Sequence, residues 1–228
     1  MRTRALTLML LACSALPACD ARADAGREAR ASALTNSNVQ TQTSRTSANA
    51  SAEASARPLS SEDEAINSRP LKLPLAQPRI VVEKGARRLT LYSNGERVRV
   101  FKVALGFEPS GDKVRQGDGR TPEGDFYVCM KNDKSKFYLS LGLSYPNAED
   151  AERGLRDGII TRAQHKRITS AITRGAKPPW DTALGGEIFI HGGGASSDWT
   201  WGCVALANEH IKELFDAIPL GTNVHIEP

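Results

Sequence analysis

His191 and Cys203 stand twelve positions apart in the stretch HGGGASSDWTWGCVAL, residues 191–206. A free thiol has a pKa of about 8.5, so only a few per cent of it is thiolate at neutral pH. A neighbouring imidazole can take that proton and leave a sulfur able to attack a carbonyl carbon. Such a base needs a partner that orients its ring. Asp198 is one candidate, and the carbonyl of Gly192, directly beside the histidine, is another. Gly202, just before Cys203, can let an acyl substrate approach the sulfur and let backbone N–H groups face a developing oxyanion. The plainer alternative is a structural histidine and a buried cysteine beside a glycine turn. Neither residue has a second Cys or His nearby at zinc-ligand spacing, so a metal site is the weaker reading.

For this pair to meet, the chain must bring two ends of a glycine-rich connection together. The segments around it read as strands. RIVVEK (79–84), RRLTLYS (87–93) and RVRVFKV (97–103) are β-branched and partly alternating, and Asn94-Gly95 marks a hairpin turn. GDFYVCMK (124–131) and KFYLSLGL (136–143) add two strands, with Asn132-Asp133 predicted as their turn. Cys129 falls within the first of these and reads as a small buried hydrophobe. Residues 147–174 change period and predict a helical insertion. Thr161 with Gln164 fits a capping box, and Gly175 fits a helix stop. GEIFIHG (186–192) is again a strand. Asn208 is the expected cap of a last helix, in which Ile211, Leu214, Phe215 and Ile218 recur at helical spacing. TNVHIE (222–227) closes the domain. His165 and His210 read as exposed, and His225 as structural. The fold class expected is mainly β, a sandwich with a small helical insertion and a C-terminal helix.

The 228 residues are 40% hydrophobic and carry 30 Lys and Arg against 26 Asp and Glu, a net charge of +4. That is far from the basic density of a nucleic-acid binder, and no nucleic-acid partner is expected. Arg2 and Arg4 precede a short apolar run to about Leu16, the pattern of a secretory signal and too short to span a bilayer. Its ending LPAC (16–19) resembles a lipobox, which would make Cys19 the lipidated first residue of the mature chain and place the protein in the periplasm on a lipid anchor. LLAC, ending at Cys13, also fits but leaves a shorter apolar run, and ordinary cleavage near Ala21-Arg22-Ala23 would release a soluble exported protein. Residues 20–76 are rich in Ala, Ser, Thr and Asn with sparse large aliphatics, and read as a disordered linker. As a flexible tether it would span roughly 40 Å. The expected organisation is a signal segment at 1–19, the linker at 20–76 and a catalytic domain at 77–228.

Ile190-His191-Gly192 followed by Thr200-Trp201-Gly202-Cys203-Val204-Ala205-Leu206 resembles the signature of the L,D-transpeptidases of the YkuD type. GDGRTPEGDFYV (117–128) resembles that family's strand entry, and DWTWGC its branch with a helical insertion. The likeness covers about residues 79 to 228. It implies acyl transfer through a cysteine thioester without metal or organic cofactor. The implied donor is a peptidoglycan tetrapeptide stem, which would lose its terminal D-alanine. The implied acceptor is an amine, from another stem (a 3–3 cross-link) or from a lysine of an outer-membrane protein. Cys203 would be the nucleophile, His191 the base and the Gly192 carbonyl the orienting group. Thr200, Trp201, Gly202, Arg120 and Asp198 are the candidate substrate-side residues, and Trp199 flanks them. Many members carry arginine two positions after the cysteine. Here Ala205 stands there, and Arg120 is the candidate replacement. Two other readings remain: a hydrolase that cleaves diaminopimelate-linked bonds at the same site, and a non-catalytic wall-binding lipoprotein.

Overall fold

The computed structural model describes residues 58–228. The signal segment, Cys19 and the linker up to residue 57 lie outside the described residues.

Helix α1 (Ser61–Asn67) precedes three strands, β1 (Arg79–Glu83), β2 (Arg88–Ser93) and β3 (Glu96–Lys102). β4 (Gly124–Ser135) and β5 (Tyr138–Leu143) follow, then helices α2 (Ala148–Arg156) and α3 (Arg162–Thr173). The chain closes with β6 (Phe189–His191), β7 (Val204–Ala205), α4 (Asn208–Ala217) and β8 (Asn223–Glu227). The strands form one continuous sheet in the order β3-β2-β1-β8-β4-β5-β6-β7. β4 makes the sheet turn over on itself. Its first residues, Gly124 to Tyr127, pair with β8, and its remainder pairs with β5 across two register shifts. Bulges of this kind bend and twist a strand. One strand therefore serves two layers. Beyond β3, Ala104 bridges Ala205 and Gly106 bridges Thr200, so the far edges of the curled sheet meet. The fold is mainly β with a few helices, as the sequence predicts.

The core lies between the layers. Ile80, Val82, Leu89 and Leu91 face Leu141, Leu143, Ile190 and Val204, all fully buried, and Ile211 and Leu214 of α4 pack on the same cluster. The inward residues of β1 and β2 alternate, as a half-buried strand requires. A smaller cluster of Ala151, Ile160, Ile168 and Leu184 holds the expected helical insertion. α3 has the Thr161–Gln164 capping box, and α2 has a second one formed by Asn147 and Asp150. Asn94 and Gly95 both have positive φ, 50° and 84°, the backbone of a tight hairpin turn.

Several expectations give way, among them His165, which is half-buried with Nε2 at 2.8 Å from the Glu152 carboxylate rather than exposed. The β4–β5 turn is not at Asn132-Asp133. The Asn132 side chain accepts from the N–H of Lys134, and this local loop is absorbed as a bulge while the strand runs on to Ser135. The turn falls at Lys136-Phe137 instead. Asn208 does not cap α4. Ala207 holds the cap position, without a side-chain bond, and the Asn208 carboxamide accepts from the N–H of Gly193 at 2.9 Å. His210 is half-buried and stacks on Phe101 at 4.6 Å rather than lying exposed. Disorder through residue 76 fails at its C-terminal part, because residues 61–67 form α1. The Ser60–Asp63 capping box starts this helix, Ile66 is buried, and Arg97 pairs with Asp63 at 3.0 Å.

The docking of α1 answers an edge problem. β3 is the outer strand of its layer and offers unpaired backbone groups. The Asn67 side chain takes both groups of Val100, donating to its carbonyl at 2.6 Å and accepting from its N–H at 2.9 Å. Asn67→Ala removes both partners at once and should cost about 1–3 kcal/mol of unfolding free energy in urea titrations. An unchanged midpoint would contradict this role.

Candidate active site

β6 and β7 run parallel, with Ile190 opposite Val204 and His191 opposite Ala205. Cys203 immediately precedes β7. Alternation along a strand puts residues 203 and 205 on one face. Ala205 is the partner of His191, and Cys203, just outside β7, stands one strand repeat before it. The twelve-residue connection is a loop between two adjacent strands, and both of its ends carry chemistry.

His191 is 2% exposed, and its Nδ1 lies 2.6 Å from the carbonyl oxygen of Gly192. A carbonyl can only accept, so Nδ1 carries the proton and Nε2 keeps its lone pair. This is the orienting role expected of Gly192. Phe137 stacks on the ring at 4.6 Å, and Trp199 meets it edge-on at 5.5 Å. Burial pulls the imidazole pKa below its ordinary 6.5, against the Gly192 bond that favours the charged form. His191 is therefore neutral at neutral pH, the state a proton acceptor needs.

The Cys203 sulfur accepts from the N–H of Phe189 at 3.4 Å and faces the Glu187 carbonyl at 3.6 Å. Burial pushes its thiol up to about 11, opposed by the Phe189 N–H and by the charge of Lys113. Among the described residues no hydrogen bond joins this sulfur to the His191 ring. Resting Cys203 is therefore a thiol. Catalytic hydrogen bonds often tighten only in the substrate complex.

Thr200 is buried and fixes the turn from below. Its hydroxyl donates to the Cys203 carbonyl at 2.7 Å and accepts from the Gly202 N–H at 3.1 Å. The Gly202 N–H is thus engaged within the turn. Gly202 has another reason to be glycine. Its φ is +118°, and a Cβ there would stand 2.5 Å from the carbonyl oxygen of Arg120. Two backbones touch at this point.

A cavity of about 280 Å³ opens on Cys203 and is walled by Lys113, Gln116, Trp180, Ile188 and Trp201. Trp201 is 69% exposed and rests edge-on against Phe107 at 4.7 Å, so it can meet a ligand at the rim. Trp199 packs on Phe137 and His191 instead.

Two expected substrate residues have other work. The Asp198 carboxylate is gripped by the Arg87 guanidinium at 2.8 and 3.0 Å and accepts from the Leu105 N–H at 2.8 Å. It anchors the loop, and it neither orients His191 nor lines the cavity. The Arg120 guanidinium reaches the Asp112 carbonyl at 3.4 Å, and Arg120 does not line the cavity either. The cation on that wall is Lys113, which sequence reasoning passed over. Asp118 holds it at 2.7 Å while accepting from the N–H groups of Val114, Arg115 and Arg120. Burial works to raise the Asp118 carboxyl, and these four donors outweigh it and hold it below the usual range. A signal was present: an aspartate among glycines in KVRQGDGR suits a side chain that ties up a loop. Phe137 was missed because the turn was placed four residues early. Ala205 is fully buried, with His191 and Ala104 as its strand partners.

The family model of the L,D-transpeptidase catalytic domain, YkuD, matches residues 77–226. The chain belongs to this family. Among curated proteins it is 27% identical over 146 residues to the "Putative L,D-transpeptidase YafK" of Escherichia coli (strain K12), a match that takes in 61% of this chain and 46% of that protein. The chain thus spans about half the length of the curated relatives it matches. Among solved structures it is similar to Bd1075 of Bdellovibrio bacteriovorus, at 22% identity and a TM-score of 0.45 over 76% of this chain and 52% of that one. It is also similar to the helical cell shape determining protein Pgp2 of Campylobacter jejuni, at 20% identity and a TM-score of 0.44 over 72% and 53%. The matched stretch contains His191, Gly192 and Cys203.

Burial of the thiol has a direct consequence. A group whose pKa is raised to about 11 is almost wholly protonated at pH 7. Iodoacetamide labelling of Cys203 in the free protein, followed by peptide mass spectrometry, should accelerate up to a midpoint near pH 11. A midpoint at or below the free-thiol value of about 8.5 would contradict the buried resting thiol.

Proposed function

We propose that this chain is a cysteine acyltransferase acting on peptidoglycan stem peptides. The observation that carries the reading is the His191 ring, locked by the Gly192 carbonyl with Nε2 left as a base, on the strand that pairs with the one Cys203 leads into. In the first half-reaction the sulfur attacks the carbonyl carbon of the L-centre of diaminopimelate, and the thiol proton passes to Nε2. The C–N bond to the terminal D-alanine then breaks, and the imidazolium returns the proton to the departing amine. The product is a thioester on Cys203. In the second half-reaction an acceptor amine attacks that thioester, its proton goes to His191, and the thiol is regenerated. The acceptor is a second stem, giving a 3–3 cross-link, or a lysine of an outer-membrane protein. The export signal and the lipobox-like ending at Cys19 support a periplasmic, membrane-anchored placement, which fits this substrate.

The reading is tested by incubating the protein with disaccharide-tetrapeptides and analysing products by liquid chromatography and mass spectrometry. Release of D-alanine together with cross-linked dimers is expected. A muropeptide with a lysine-bearing peptide attached to diaminopimelate is assayed beside the disaccharide-tetrapeptide; cleavage of that bond without dimers would replace transfer by hydrolysis, and no reaction with either substrate would sink the enzymatic reading. The pH dependence has a defined sign. Only neutral His191 accepts the thiol proton, and its pKa lies below 6.5. The acid limb of kcat/KM should therefore have its midpoint below 6.5. A midpoint above 7 would contradict a buried neutral base.

A further inference from the structure

The helical insertion carries charge that the acyl-transfer steps do not use. Residues 162–177 contain five cations, Arg162, Lys166, Arg167, Arg174 and Lys177, and no carboxylate, whereas the whole chain has an excess of only four. α3 turns Lys166, Ser170 and Arg174 to one face by their four-residue spacing. Together with Lys177 they line an open groove of about 670 Å³ whose end wall is Trp180, and no carboxylate lines it. Of its cations, Arg167 is paired, with the exposed Asp181 at 3.0 Å. Lys166, Arg174 and Lys177 have no carboxylate partner among the described residues.

Trp180 is also a wall of the Cys203 cavity. Its ring is held in place: Nε1 donates to the Tyr145 carbonyl at 3.0 Å, Phe189 meets it at 5.6 Å, and Lys177 caps its face at 4.1 Å. One rigid side chain thus separates, and joins, the nucleophile's cavity and a cationic groove. At about 280 Å³ the cavity is at the small end of ligand pockets, which run from roughly 300 to 1,000 Å³. A tetrapeptide stem cannot lie wholly within it.

We infer that the α3 groove binds the carboxylate-bearing remainder of the donor stem, through Lys166, Arg174 and Lys177, while its reactive carbonyl enters the cavity past Trp180. The inference rests on the stem-peptide reading above. It also gives this chain a source of positive charge toward substrate carboxylates, a part that neither Ala205 nor Arg120 fills. Exposed cations of this kind steer and retain an anionic ligand in a salt-dependent way.

The test is binding of a disaccharide-tetrapeptide to the full chain carrying Cys203→Ala, by isothermal titration calorimetry at low and high salt. Adding Arg174→Gln and Lys177→Gln should raise Kd about tenfold at low salt and flatten the salt dependence, each exposed contact being worth up to about 1 kcal/mol. A tetrapeptide with amidated carboxylates should bind the unsubstituted groove as weakly as the native one binds the double variant, a comparison independent of any folding defect. A Kd within twofold across both comparisons would overturn the inference. So would loss of binding to phosphatidylglycerol vesicles with an unchanged Kd for the peptide, which would assign the groove to lipid phosphate. D-alanine release by the unsubstituted protein is read separately. Release with an unchanged Kd removes only the groove, and no release with a shifted Kd removes only the acyl transfer.

Discussion

The parallel pairing of β6 with β7 is the contact on which the site depends. It comprises two residue pairs, Ile190 with Val204 and His191 with Ala205. A ladder that short does not hold itself, and it is fixed from both sides. On one side β5 pairs with β6, and on the other the segment after β3 bridges Ala205 and Thr200. Asp198 adds the strongest tie. Its ion pair with Arg87 links the loop to the β1–β2 turn, and its bond to the Leu105 N–H stitches the loop to the closing segment. The Trp199 and Thr200 N–H groups both donate to the Leu105 carbonyl at 3.1 Å. The Arg87 side chain is 7% exposed. Removing one partner of so buried a pair leaves an uncompensated charge, which makes the closure of the curled sheet and the geometry of the site a single problem.

Burial sets the electrical character of the site. It acts on the two reacting groups in opposite chemical directions, and both effects favour the neutral form. His191 loses affinity for a proton and Cys203 holds its own more tightly. The resting pair is neutral imidazole and neutral thiol, not an ion pair. Such a site spares its nucleophile from adventitious chemistry, since the thiolate is the reactive species. On the acyl-transfer proposal, activation then coincides with the substrate, when the carbonyl carbon accepts the sulfur and Nε2 accepts the proton. Two charges on the cavity wall act on the sulfur in opposite senses: Lys113, held by Asp118, favours its deprotonation, and Glu187 opposes it.

Much of this was legible in the residues. The alternating runs and Asn94-Gly95 identify the first three strands, and the spacing of Ile211, Leu214 and Ile218 identifies α4. The His–Gly and Gly–Cys flanks single out the candidate pair, because local sequence dictates strand ends and turns. What escaped depends on long-range partners. Asp198 reads equally well as an orienting acid, and only the fold brings Arg87 to it from 111 positions away. Asn208 looks like a helix cap, and in the fold it is a pin for Gly193. Asn132-Asp133 is good turn chemistry, absorbed by the bulge in β4. α1 lies in a polar stretch too weak in apolar residues to fold alone, and its order comes from the edge of β3 that it covers.

The central claim is that Cys203 becomes acylated and that neutral His191 takes its proton. Intact-protein mass spectrometry of acid-quenched mixtures with a disaccharide-tetrapeptide tests this most directly, followed by mapping of the modified peptide. The account predicts an adduct equal to the substrate less one D-alanine, located on Cys203, absent in Cys203→Ala and strongly slowed in His191→Gln. An adduct that persists in Cys203→Ala, maps to Cys129, or forms at an undiminished rate in His191→Gln would contradict it.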